Sequence, residues 1–372
     1  MNNKLLVNNI KKLFLLFFLF NIKLIADPKL LVAPENFNIE IFADNIKSPR
    51  QITEGNKYIY TASGPMGEIY ALLDIDKDNK VDSKIILASG LNNSRGVTFK
   101  DGDLYFAEVD KIWVIKNVED QLRLNPDKLP LKELVTDNLP SDAWHGWKWI
   151  KHGPDNKLYV PVGAPCNVCL RDDPRYASIM RLNAGNWEFV ATGVRNSVGF
   201  DWHPQTEKLY FTDNGRDWLG DNSPSCELNI VDIDNSFYGF PYVHANDVMD
   251  PDYGADNIDY VKPIVDLGPH VAPTGTAFYS GDAFPSEYKN TLFITLHGSW
   301  NKMDHPSGYT VVAVSTDKDG KVTGYKEFIS GWLQGKKAWG RPSAPFIMSD
   351  GSLLISDDKY NVIYRVTYNS EF

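Results

Sequence analysis

Six residues of the 372-residue chain share a setting: Arg50, Arg95, His145, Arg195, Thr274 and Arg341 stand in the segments SPRQI, SRGVTF, WHGWKWI, VRNSVGF, APTGTAF and GRPSAPF, each leading into hydrophobic sequence. Four of the six are arginine, a residue that keeps its charge at any working pH and whose planar fork donates two parallel hydrogen bonds to a carboxylate. Histidine, with an ordinary pKa near neutrality, suits the role of a base. One arginine at a strand end is explained by an ion pair with any of the 48 acidic residues, but four at matched repeats are not. His145, Arg195 and Arg341 also stand five residues ahead of Ile150, Phe200 and Phe346, an offset that sets them at one depth. The expected chemistry is a base among cations that hold a small, multiply anionic ligand. His297, in LHGSWN, is expected to face the same mouth, whereas His152 and His203 read as exposed turn residues and His244 and His305 as loop residues.

Only a radial array brings such positions together. Behind the six segments come the strands KYIYTAS, DLYFAE, KLYVPV, KLYFTD, TLFITL and SLLISD, then GEIYAL, KIWVI, SIMRL, ELNIV, YTVVAV and VIYRV, separated by turns such as KDGD and SDGS. The units recur every 45 to 60 residues or so, except for a longer fourth. This predicts an all-β fold, a six-bladed β-propeller of four-stranded antiparallel blades whose equivalent strand ends converge on a central channel. FNIEIFA, residues 37–43, has no unit of its own and is expected to pair with VIYRV, so that the N-terminal strand closes the ring and leaves no edge. The excess of the fourth unit, residues 242–266, reads as a surface loop rich in Pro and Asp. The acidic segment 74–82 has Asn79 and Ile85 where an EF-hand loop requires Gly and Glu, and reads as a solvated hairpin tip.

Composition fits one large β domain over residues 27–372: 43% hydrophobic and 13% aromatic residues, with 27 Gly and 22 Pro spread throughout. A net charge of −10 argues against nucleic acid or an anionic membrane surface as partner. Lys4, Lys11 and Lys12 precede the apolar residues 13–22, and Ala26 is a plausible cleavage point, so residues 1–26 read as an export signal in preference to the alternative of a retained anchor, because Lys23 interrupts an apolar run already too short to span a bilayer; the mature chain then reads as periplasmic or secreted. Cys166 and Cys169 form a C-x-x-C without the companions that zinc, c-type haem or a thioredoxin-like site needs; a loop disulfide is favoured over free thiols, and Cys226 is left unpaired.

The stretches HGWKWIKHGPDNKLYVPVGAPCNVC, ATGVRNSVGFDWHP, FTDNGRDWLGDNSPSCELN, FYGFPYV, HVAPTGTAFYSGDAFP, LHGSWN and WGRPSAPFIMSDGSLLISDD, in this order, resemble the PQQ-dependent glucose/sorbosone dehydrogenase family, and its sorbosone dehydrogenase-like branch most. The resemblance runs from LLVAPENF to VIYRVTY. It implies a calcium-dependent quinoprotein in which His145 accepts the sugar hydroxyl proton, while Arg195, Asn196 and Arg341 hold the tricarboxylate quinone and His297 lies against it; the repeat pattern adds Arg50 and Arg95 to the expected cofactor site. It also implies that the backbone carbonyls of Gly215 and Arg216 ligate the calcium ion, and that Glu227 and Tyr238 lie near a second calcium. The partners implied are a sugar and an electron acceptor, either a small redox carrier or a cytochrome.

Three positions depart from the glucose-oxidising branch: His297 replaces a lysine, Ala164 an aspartate, and Ser343 the second arginine of a pair. Each removes charge or a hydrogen bond next to the cofactor, so substrate choice does not transfer from glucose oxidation. Two other classes stay open on the residues alone. A calcium-dependent lactonase would line its channel with carboxylates and amides, which the arginines oppose; a non-catalytic propeller binding a sugar or a protein would tolerate any residue at position 145.

Overall fold

Strands near the axis are buried on both faces and the outermost ones on one face, and this gradient shapes each repeat into a blade. Pro273–Phe278 and Leu292–Leu296 bury every residue, whereas Ser83–Ala88, Val322–Ile329 and Phe37–Ala43 alternate along part of their length. The computed structural model describes residues 27–302 and 305–369; the expected export signal lies outside them.

Six antiparallel blades follow in chain order. The first is Pro49–Glu54, Ile59–Ser63, Glu68–Leu73 and Ser83–Ala88; the second Gly96–Lys100, Asp103–Ala107, Ile112–Ile115 and Glu133–Thr136. The third is Lys151–His152, Leu158–Val162, Ser178–Asn183 and Asn186–Thr192, the last flanked in parallel by the short Ser236–Phe237. The fourth is Phe200–Trp202, Leu209–Asp213, Ser225–Val231 and Val265–Pro269, and the fifth Pro273–Phe278, Leu292–Leu296, Thr310–Thr316 and Val322–Ile329. The sixth runs Pro342–Ile347, Leu353–Asp357 and Val362–Tyr368, and its outermost strand is Phe37–Ala43, paired from Phe37 opposite Tyr368 to Ala43 opposite Ile363. The N-terminal strand thus closes the propeller, as its lack of a repeat of its own predicts.

The core is divided among the blade interfaces. Six apolar clusters lie between successive blades, from Tyr60, Ala62, Val97 and Phe106 between the first two to Phe42, Ile52, Leu72 and Leu354 between sixth and first. Around most of the axis the first strands of neighbouring blades touch. Their approach explains two glycines: a Cβ on Gly199 would lie 2.9 Å from the Gly275 Cα, and one on Gly275 2.8 Å from the Ala344 Cα.

Two expectations need correction. Residues 242–266 are not simply a surface loop, because Val243 and His244 are buried in a small hairpin and the buried Asp250 carboxylate pairs with Arg216 and His244. His203 is fully buried rather than exposed: its Nδ1 accepts the Gln205 and Thr206 N–H groups and its Nε2 lies 3.1 Å from the Asp317 carbonyl. His152 is half-buried, edge-on to Tyr105. A polar turn sequence marks the bend but not the neighbouring blade that covers it.

Candidate active site

The recurrent residues stand at, or a few residues before, the amino ends of the first strands, where the six blades converge. A cleft of about 330 Å³ opens there, lined by His145, Arg195, Asn196, Thr274, His297 and Arg341, with Gly215 and the unpaired Cys226 also in its wall.

Arg195 is buried and held on all sides. Its Nε donates to the Asn167 carbonyl at 2.9 Å, Nη1 to the Asn214 carbonyl at 3.1 Å and Nη2 to Asn167 Oδ1 at 3.0 Å, with the Asp217 carboxylate 3.5 Å away. The backbone N–H groups of Arg195 and Asn196 donate to the two oxygens of Asp213, which ends the neighbouring strand. Burial lowers the Arg195 pKa, opposed by Asp217 and Asp213.

His145 has a left-handed backbone, φ 53°. A Cβ on Gly163 would come within 2.6 Å of the His145 Cβ, so the glycine makes room for the imidazole. The Nδ1 lies 2.7 Å from the Ala164 carbonyl, and the Trp144 indole N–H donates to Nε2 at 3.0 Å. A carbonyl can only accept and an indole can only donate, which fixes the tautomer with the proton on Nδ1 and the lone pair on Nε2. Burial, then Arg195, pushes the imidazole pKa down to about 3, so it is neutral at physiological pH.

The remaining cations divide into two groups. Arg341 donates from Nε to the His297 carbonyl at 3.0 Å and from Nη2 to the Gly298 carbonyl, and its N–H is capped by Asp357. Arg50 and Arg95 do not join the cleft wall. Their guanidinium carbons sit 5.1 and 3.6 Å from the ring centre of Trp147, which does line it. Asp358 pairs with Arg50 at 2.5 Å and with His297 Nε2 at 2.8 Å; burial lowers His297 to about 4 and Arg95 to about 8. A closed ring of four cations facing one spot is thus replaced by two arginines in the wall and two stacked on its tryptophan, because the aromatic face offers a buried guanidinium an electrostatic partner.

Of the residues expected near calcium, Gly215 lines the cleft, while the Arg216 side chain turns to the buried Asp250. Glu227 accepts from the Ala245 N–H at 2.6 Å and from Asn229 Nδ2 at 3.0 Å, and the Tyr238 hydroxyl donates to the Ile230 carbonyl at 2.8 Å. Burial, reinforced by Asp213 opposite it, raises Glu227 to about 8. Among the described residues, one set of three side-chain ligands lies close together, Asp74, Asp76 and Asp78 at the solvated tip read from the sequence.

Sequence reasoning missed Trp144, Trp147, Asn167, Asp213, Asp357 and Asp358. For two of them a signal existed: an aspartate closes the second strand in FTD and in LISD, 18 and 16 residues after the arginine whose N–H it caps. The disulfide between Cys166 and Cys169 forms as favoured, and Cys226 remains free.

Comparison with known proteins agrees with this architecture. The family model described as Glucose / Sorbosone dehydrogenase matches residues 145–302, and one described as TrAA12-like matches residues 239–369. An uncharacterized protein of Borreliella burgdorferi is 37% identical over 359 residues, 91% of each chain. Among solved structures, a Trichoderma reesei member of Carbohydrate-Active Enzymes Family AA12 superposes with a TM-score of 0.78 at 18% identity, covering 98% of this chain and 100% of that one. The PQQ domain of pyranose dehydrogenase from Coprinopsis cinerea does so at 0.75 and 16%, covering 91% and 97%. With its seven characteristic stretches in order, its six blades and the match over the segment that begins at His145, the chain belongs to the glucose/sorbosone dehydrogenase family.

Proposed function

We propose that this protein is an exported, PQQ-dependent dehydrogenase that oxidises a sugar at its aldehyde or anomeric carbon, with His145 as the base. One observation carries the reading. Arg195 and Arg341 share a cleft wall with a neutral histidine, and both guanidiniums are held largely by uncharged carbonyl oxygens. Their charge is therefore only partly spent within the protein: the Arg195 guanidinium has Asp217 at 3.5 Å, while the nearby Asp213 carboxylate is taken up by the backbone N–H groups of Arg195 and Asn196. A cavity of about 330 Å³ is of the size that holds a small ligand. The donor set fits a planar polycarboxylate, so PQQ fits the residues present. A relative in fold is the PQQ domain of pyranose dehydrogenase from Coprinopsis cinerea.

Arg195, Asn196 and Arg341 would hold the cofactor, and the main-chain oxygens of Gly215 and Arg216 would offer a calcium ion its ligands. When bound, PQQ supplies a two-electron acceptor for a hydride from the sugar carbon, and calcium a Lewis acid. His145 supplies the complementary step. Its Nε2 lone pair accepts the sugar hydroxyl proton, while the Nδ1–H bond to Ala164 holds the ring in register. The hydroxyl must first displace the Trp144 indole N–H from that lone pair. Burial, aided by the charge of Arg195, keeps the imidazole unprotonated until substrate binds.

Export is supported by the disulfide, a bond that persists in oxidising compartments. Among the described residues no helix is long and apolar enough to cross a membrane. The test is direct: add PQQ and calcium to the mature chain, measure quinone binding by titration, and assay aldoses and sorbosone with a dye acceptor. Stoichiometric PQQ binding with sugar-dependent dye reduction is expected; no binding removes the dehydrogenase reading.

A further inference from the structure

We propose that the Cys166–Cys169 disulfide is a redox-controlled clamp on the cleft, with Asn167 as the positioning residue that aims Arg195, so that affinity for an organic polyanion depends on oxidation of the two cysteines. The inference rests on the reading that Arg195 binds such an anion, and deepens it.

Residues 163–177, between the second and third strands of the third blade, contain no regular structure. A segment of that length samples many conformations unless it is tied. The disulfide ties it around a single position, closing a ring whose only inner residues are Asn167 and Val168. Asn167 spends nearly all its polar capacity on the site. Its carbonyl and its Oδ1 accept from Arg195 at 2.9 and 3.0 Å, its Oδ1 also accepts the Asp217 N–H at 2.8 Å, and its Nδ2 donates to the Asp217 carbonyl at 3.0 Å. One side chain therefore joins the disulfide ring, the cofactor arginine and the 214–217 segment that carries Gly215.

Without that tether the buried guanidinium loses two neutral acceptors, and its nearest alternative is the Asp217 carboxylate, now 3.5 Å away. Swinging onto Asp217 would neutralise the charge that the cleft offers an anion. Both cysteines are half-buried, so a reductant can reach the bond. Reduction by an exchanging dithiol breaks the S–S bond, leaves a thiol on each cysteine and converts the dithiol to its own disulfide. A chain still in a reducing compartment would accordingly have a slack Arg195, and the high-affinity cleft would form only after export.

The experiment compares the oxidised protein with Asn167→Ala and with the double variant Cys166→Ser/Cys169→Ser. Two quantities are measured: the Kd for PQQ with calcium, by quenching of tryptophan fluorescence, and the Arg195 Nε–H NMR signal, assigned by its loss in Arg195→Lys. A rise in Kd of roughly 10-fold in Asn167→Ala, and of about 3-fold or more in the serine pair, is expected from losing hydrogen bonds to a charged group. The Nε–H signal should exchange slowly in the oxidised protein and broaden or vanish in both variants. Equal Kd values with an unchanged signal would overturn the clamp. Should either variant fail to fold, the signal in wild-type protein before and after phosphine reduction decides: loss supports the clamp, persistence overturns it. If wild-type protein binds no PQQ, the dehydrogenase reading fails while the Nε–H signal still judges the clamp.

Discussion

At His145 the protein has committed a proton and a lone pair in opposite directions. The Ala164 carbonyl fixes the proton on Nδ1, and the Trp144 indole occupies Nε2, where a sugar hydroxyl would have to sit. Trp144 is 57% exposed, so its ring can leave without disturbing the core. Trp144→Phe should keep the ring and remove the donor: KM for the sugar is expected to fall about 5-fold with kcat within about 2-fold, the worth of one hydrogen bond of about 1 kcal/mol. Steady-state kinetics on PQQ-loaded protein checks this, and an unchanged KM refutes the competition. His145→Ala should leave the PQQ Kd nearly unchanged and lower kcat by roughly two to four orders of magnitude, the usual contribution of a positioned base. The sign of the pH effect follows from the depressed pKa. A base works unprotonated, and a free-enzyme pKa of about 3 leaves it so across the neutral range, so kcat/KM should stay level as pH falls from 8 to about 5. An acid limb centred near 6.5 would show the imidazole to be solvated instead.

At the scale of elements, two devices hold the site. Aspartates at the ends of second strands, Asp213 and Asp357, cap the N–H groups of Arg195 and Arg341, so each of these cleft arginines is fixed by the strand beside it. The outermost strand of the last blade, Phe37–Ala43, comes from the other end of the chain, and Phe37 pins it. Its ring meets Phe284, Tyr288, Phe328 and Tyr368 edge-on, with centroids 4.8 to 5.3 Å apart. Phe37→Ala should cost about 3 kcal/mol, through lost burial and lost ring contacts. Urea unfolding measures it, and a cost below about 1 kcal/mol would mean the strand is held by its backbone ladder alone.

At the scale of the molecule, six blade interfaces share the apolar core, while carboxylates buried among them oppose it. Glu227 is the clearest case: burial and then Asp213 raise its pKa from 4.5 to about 8. A carboxyl with a raised folded pKa binds a proton that the unfolded chain has released, so stability declines as pH climbs from the unfolded pKa through the folded one. With a chelator present, the protein should lose stability between about pH 4.5 and 8, and Glu227→Gln should flatten that loss, being more stable at pH 8 by roughly 1 to 3 kcal/mol. Thermal melts across that range check it, and an equally steep decline in the variant would assign the titration elsewhere. Calcium offers a second arm: if Glu227 helps hold an ion, calcium should stabilise the wild-type protein near pH 8 and leave the glutamine variant unaffected.

Repetition made the architecture legible. Six polar segments followed by matched strands are a local pattern, and the unassigned strand FNIEIFA had one free edge to close. The same repetition marked His145, Arg195 and Arg341, since equivalent positions in a closed ring must converge. What repetition could not reveal depends on which side chain reaches its neighbour first. Trp147 takes up Arg50 and Arg95, Asp358 bridges Arg50 to His297, Trp144 caps the histidine, and Asn167 reaches Arg195 from 28 residues away. Period and hydropathy are properties of the chain alone, whereas a partner chosen across an interface exists only once the blades have packed.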